Sequence, residues 1–201
     1  MTSSRSLVSC VVLGAAFSLA CSAAKPPVVS SSESPKPAAS TIASNATNAE
    51  DQPPVGHVTR AEVEALPKWI AARQQDDTIP DAEAARALKD VPAGATVRVF
   101  FGTWCGDSRR EVTRLWKALD LAGGGVPFAL EYVAVDRAKT APGGLTDGIG
   151  LRYVPTFVVV RAGKEVGRII ESSPGGLEKD LRALLKGERT GVISSRSDVG
   201  A

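Results

Sequence analysis

Apolar positions along residues 57–187 follow helical and strand-like spacings in turn. Thr59-Arg60-Ala61-Glu62 has the spacing of a capping box, and Leu66, Trp69 and Ile70 then offer an apolar helical face. A second short helix is predicted from Asp81 to Leu88. Val97 to Phe101 reads as a buried strand, bounded by Pro92-Ala93-Gly94 and by Gly102. Val112, Leu115, Trp116 and Leu119 then recur at i, i+3, i+4 and i+7, the pattern of an amphipathic helix. Gly123-Gly124-Gly125 closes that helix, and Phe128 to Val135 is the next strand. The Gly-rich connection from Ala138 to Gly150 has room for a turn of helix. Phe157–Arg161 and Val166–Ile170 form a hairpin about Ala162-Gly163. A last helix opens after Ser173-Pro174, with Leu177, Leu181, Leu184 and Leu185 in one stripe and Gly187 at its end. This order predicts an α/β domain over 57–187. Residues 188–201 show no periodicity and read as a flexible tail.

The N-terminal 56 residues carry a different pattern. Arg5 is followed by an uncharged, apolar or small-residue stretch from Leu7 to Ala20, the layout of an export signal over residues 1–20. Cys21 directly follows Ser18-Leu19-Ala20. That junction resembles the lipobox of bacterial lipoproteins, which implies lipidation of Cys21 and a membrane anchor. The box departs from the usual pattern, since Ser18 stands where Leu is common. Cleavage after Ala20 or Ala24, or an uncleaved anchor, are the competing readings, and all three place the rest of the chain outside the cytoplasm. Residues 21–56 are dominated by Ser, Ala, Thr and Pro, too poor in apolar surface to offset the entropy of ordering, and read as a disordered tether.

Charge narrows the partners. With 24 Lys+Arg against 22 Asp+Glu, the formal net charge is +2, which gives no footprint for nucleic acid. The three cysteines are Cys10, Cys21 and Cys105, so neither a disulfide framework nor a thiolate zinc site is available, and the single His57 builds no metal site.

The candidate chemistry sits in Phe100-Phe101-Gly102-Thr103-Trp104-Cys105-Gly106-Asp107-Ser108-Arg109-Arg110. A buried strand delivers Cys105 to the first turn of an amphipathic helix. Free backbone N–H groups and the positive end of the helix dipole lie there and favour thiolate over thiol. Arg109 and Arg110 add to that field, and Asp107 opposes it. The competing reading is a small, inert core cysteine.

At these residues the chain resembles the thioredoxin superfamily. Trp104-Cys105-Gly106-Asp107-Ser108 stands where the family has Trp-Cys-Gly-Pro-Cys. Tyr153-Val154-Pro155-Thr156-Phe157 is similar to the family's cis-proline loop, and Arg161-Ala162-Gly163-Lys164-Glu165-Val166 to its hairpin turn. The likeness covers residues 96–187 and looks closest to a bacterial, exported thioredoxin-like branch. It implies a central mixed β-sheet flanked by helices, here with an N-terminal helical extension. It also implies a catalytic set of Cys105, Ser108 and Trp104, with Gly106, Asp107, Val154, Pro155 and Thr156 binding substrate. Read from the residues alone, Pro155 is a rigid turn before a strand rather than a direct participant.

Two departures fall on catalytic positions. Ser108 replaces the resolving cysteine, so a mixed disulfide at Cys105 has no internal resolver. Val99 replaces the buried acid that often moves protons in relatives. Monothiol chemistry survives: Cys105 attacks a disulfide, Ser108 donates a hydrogen bond to the thiolate, and Trp104 shields the sulfur. Turnover then needs no bound cofactor but an external thiol, such as glutathione or a partner dithiol. The expected partners are envelope proteins carrying thiols or disulfides, met in the periplasm from a lipid anchor. The alternative is a non-catalytic binding module that keeps the groove at Pro155 and has lost its redox chemistry. A third reading is glutathione binding at the Cys-x-x-Ser motif.

Overall fold

The computed structural model describes residues 53–199; the predicted signal, Cys21 and almost all of the tether lie outside them. A six-stranded sheet runs through the domain in the order β1-β3-β2-β4-β5-β6. Its members are β1 (Gly56–Val58), β2 (Ala95–Phe101), β3 (Phe128–Ala134), β4 (Thr156–Arg161), β5 (Lys164–Ile170) and β6 (Gly191–Ser194). β2 pairs parallel to β3 and antiparallel to β4, β4 antiparallel to β5, and β5 parallel to β6, so the sheet is mixed. β1 closes the other edge antiparallel to β3.

Helices form where caps and apolar spacing agree. Thr59 caps α1 (Arg60–Glu64) through the predicted box: its side chain accepts from the Glu62 N–H, and Glu62 reaches back to the Thr59 N–H. The helical pattern is cut by Leu66-Pro67, because the proline at the first position of α2 (Pro67–Gln75) starts a new helix. Trp69 is buried by this turn, but Ile70, expected on the same face, is 45% exposed. Asp81 caps α3 (Ala82–Arg86), which runs into a 3-10 turn over Ala87–Asp90. The long α4 (Gly106–Leu121) follows β2, and α5 (Leu177–Lys186) ends at Gly187, whose left-handed φ of 74° suits a glycine.

The alternation along β2 sorts the two faces of the sheet. Val97, Val99 and Phe101 face the larger core with Val112, Leu115 and Trp116 of α4 and the leucine stripe of α5. Phe100 faces the opposite side with Val133, Val135, Val154 and Val158, where Leu145, Ile149 and Leu151 of the connection between β3 and β4 cover them. That connection holds the expected helical turn, at Pro142–Gly144.

The C-terminal segment differs from expectation. Residues 188–201 were read as a flexible tail, yet Gly191–Ser194 add an edge strand to β5, and Ile193 is 2% exposed. One buried side chain in a four-residue strand is too short a signal for periodicity to reveal.

Candidate functional site

Cys105 sits at the N-cap of α4 in extended conformation, φ −90° and ψ 132°. Its N–H donates to the Gly102 carbonyl at 2.9 Å, and its own carbonyl accepts from the Arg109 N–H at 3.1 Å. The chain thereby turns from β2 into the helix with the sulfur at the turn. Cys105 is half-buried, and its Sγ–H donates to the Val154 carbonyl at 3.6 Å. The peptide bond from Val154 to Pro155 is cis. Two segments 50 positions apart in sequence thus meet at one sulfur.

The other predicted residues divide. Ser108 is fully buried, and its Oγ accepts from the Gly102 N–H at 3.2 Å. Among the described residues it makes no hydrogen bond to Sγ, so the expected donor to the thiolate is instead a clamp on the strand-to-helix turn. Thr156 is also turned inward: it is 1% exposed and its hydroxyl donates to the Tyr153 carbonyl at 2.8 Å, which holds the Pro155 loop closed on itself. Gly106 is exposed at the first helical position and Asp107 is half-exposed beside it. Val154 is buried, with its carbonyl on Sγ and its N–H without a partner among the described residues.

The cations near the cysteine are mostly committed elsewhere. Arg110 pairs with Asp107 at 2.7 Å and with the buried Glu111 at 2.9 Å. Burial of Arg110 lowers its pKa, and the hydrogen bonds it donates to Glu111 and Asp107 more than offset that, so the net direction is up. Arg109 lies closer to the turn, with Nη1 3.4 Å from the Thr103 carbonyl. Val99, where the resemblance implies an acid in relatives, is fully buried in the larger core.

Trp104 does not stand free over the sulfur. Its Nε1–H donates to the Val135 carbonyl at 3.1 Å, and the Arg137 guanidinium lies 5.1 Å from the ring centroid. Gly102 makes room for it: a Cβ there would fall 2.6 Å from Trp104 Cε2. Trp69 donates its Nε1–H to the Thr103 carbonyl at 3.2 Å, so the first turn of the site is held by α2 as well. Sequence spacing put Trp69 in the core and gave no sign of that bond. It also missed the C-terminal brace on the Pro155 loop. Tyr153 donates its hydroxyl to Asp198 at 2.7 Å, and Arg196 stacks 4.2 Å from its ring centroid while pairing with Glu171.

A cleft of about 570 Å³ adjoins Trp104 and Thr103, and neither Cys105 nor Pro155 lines it. Among the described residues no group of three or more His, Cys, Asp or Glu is placed to hold a metal ion.

A β-sheet in this order, a cysteine at the start of the helix after its central strand, and the Val154-Pro155 loop against that sulfur give the architecture. The fold is thioredoxin-like. No protein-family model matches the chain. A thioredoxin-like protein of Acanthamoeba polyphaga mimivirus is 29% identical over 100 residues, covering 47% of this chain and 66% of that protein, just under two thirds of its length. Similar solved structures include a protein of unknown function from Pseudomonas aeruginosa, with TM-score 0.43, 21% identity and coverage of 64% of this chain and 80% of that one. Thioredoxin f2 of Chlamydomonas reinhardtii gives a TM-score of 0.31 and 20% identity, covering 44% of this chain and 77% of that one. Cys105 is the one cysteine among the described residues, and Ser108 stands three positions after it.

Proposed function

We propose that this thioredoxin-like protein exchanges thiols and disulfides in the cell envelope through one sulfur, Cys105. The observation that carries the reading is the half-buried Sγ at the open end of α4, in contact with the Val154-Pro155 loop. In the forward step the Cys105 thiolate attacks a partner disulfide. One sulfur of that bond becomes joined to Sγ, and the other leaves with the electron pair and takes up a proton. An external thiol, glutathione or a partner dithiol, then attacks the mixed disulfide and returns Cys105 to the thiol. Val154, through its unpartnered N–H, gives the bound segment a backbone donor beside the sulfur. Gly106 and Asp107 border the same spot from the helix. Lipidation of Cys21 would hold the domain at the membrane facing the periplasm.

The test uses the full chain with Cys10→Ser and Cys21→Ser, leaving one thiol. Added 2,2′-dithiodipyridine should release one thiopyridone per chain and leave a mixed disulfide that persists until glutathione is supplied. In cells, the wild-type chain should form dithiothreitol-sensitive adducts with envelope proteins, and Cys105→Ser should form none. Adducts that survive in Cys105→Ser, or a native thiol inert until urea is added, would overturn the reading. Partner capture that persists without any adduct would then favour the non-catalytic binding module.

A further inference from the structure

The cleft beside Trp104 is built from parts that sequence keeps far apart: the entry to β1, the start of α2, the turn before Cys105, and the end of β3. Its volume of about 570 Å³ is within the range of ligand sites. Val55, Leu66 and the indole of Trp104 supply apolar wall. Two cations, Lys68 and Arg137, stand in the lining, both exposed and neither in an ion pair among the described residues. The one carboxylate there, Asp136, has both oxygens taken by Thr140, through its N–H and its hydroxyl at 2.8 Å each.

Trp104 joins this cleft to the thiol, since it lines the cavity and is followed directly by Cys105. Consecutive Cα atoms are about 3.8 Å apart, and an extended chain advances about 3.3 Å per residue. A segment attached to Sγ spans about 10 Å over three residues, so the residues flanking its cysteine are the ones that pass the neighbouring Trp104 wall.

We infer that the cleft is the recognition site for the partner segment next to the cysteine that Cys105 engages, and that it selects an apolar residue beside a carboxylate. The inference rests on the exchange reading above. The apolar side chain fills the space between Leu66 and Trp104, and the carboxylate meets Lys68 and Arg137.

Two peptides test it, each carrying a central cysteine as a thiopyridyl disulfide. One has Leu and Glu within three positions of the cysteine, and the other has Ser and Lys there. The protein is the full chain with Cys10→Ser and Cys21→Ser, and thiopyridone release gives the rate. Each rate is divided by that of the same protein with neutral 2,2′-dithiodipyridine, so recognition and thiol reactivity are read apart. The Leu/Glu peptide should react at least about tenfold faster than the Ser/Lys peptide. Lys68→Glu combined with Arg137→Glu should abolish or reverse that ratio. Equal rates for the two peptides, or a ratio unchanged in the double variant, would overturn the inference. A thiol inert to dithiodipyridine would overturn the exchange reading instead. Tryptophan fluorescence with serine versions of the peptides then decides the cleft: preference for the Leu/Glu peptide supports it, and equal binding removes it.

Discussion

The side chain of Ser108 decides what kind of thiol chemistry the site can complete. It stands three positions after Cys105, the Cys-x-x-Cys spacing at which two thiols at a helix start form a disulfide. Ser108→Cys should therefore convert one thiopyridone per chain into two, because the new sulfur attacks the mixed disulfide and expels its bound half. Release of a single equivalent would show that the clamp to Gly102 holds position 108 out of reach. The same clamp gives Ser108 a structural role, since its loss leaves the Gly102 N–H unpaired in a buried turn. Gly102 is constrained from its other side as well. A Cβ there meets the Trp104 ring at 2.6 Å, so Gly102→Ala must displace the indole from its bond to Val135. The expected cost is about 1–3 kcal/mol in urea unfolding, with a change in tryptophan emission. Unchanged stability and emission would mean that the ring has free space to move.

At the level of elements, the parts legible in the sequence are those whose information is local. The strand at Val97–Phe101 and the helix through Val112, Leu115, Trp116 and Leu119 each carry several buried positions at one period, and both form close to where the pattern puts them. The cysteine turn and the proline loop were visible because each is a short contiguous run. The cleft was not, because its walls come from four separate segments with no common spacing. The direction of the Ser108 and Thr156 hydroxyls was also hidden, since a hydroxyl turns toward whichever backbone group the tertiary fold leaves unpaired. Strand β6 failed for a third reason: its place depends on glycine at Gly167, where a Cβ would meet the Gly191 carbonyl at 2.5 Å. This strand is integral to the domain. Ile193→Ala should cost about 2–5 kcal/mol, the range for emptying a buried aliphatic site, as measured by the urea midpoint. A midpoint within error of wild type would mean that residues 191–194 leave the sheet readily.

Across the whole molecule, ion pairs tie the helical layer together, and their titration sets its response to acid. Arg60 of α1 forms two hydrogen bonds to Asp120 near the end of α4, and those bonds hold the Asp120 carboxyl below its usual range. At Asp76 burial pushes the carboxyl up, but the Lys117 ammonium 2.8 Å away and the hydrogen bond from the Thr78 N–H outweigh it, and the net direction is down. Asp81 is lowered by the Ala84 N–H that it caps and then by Lys179 of α5. A carboxylate whose pKa is depressed by folding contributes stability above its unfolded pKa of about 3.9 and loses it as pH falls through the folded value. Every one of these groups carries the same sign, so the losses accumulate in one direction. The melting temperature should hold nearly level down to about pH 5 and then decline continuously below about pH 4. High salt should lower the neutral plateau by screening the exposed pairs. Asp120→Asn supplies the control. It should melt lower than wild type at pH 7 and fall less steeply in acid, because the Arg60 pair no longer has a proton-dependent partner. Parallel curves for the two proteins would remove Asp120 from the account, and a wild-type curve flat to pH 2 would remove the whole set. The thiol site lies at the start of α4 and Asp120 near its end, so alkylation of Cys105 along the same pH series reads whether the site opens with the helical layer or before it.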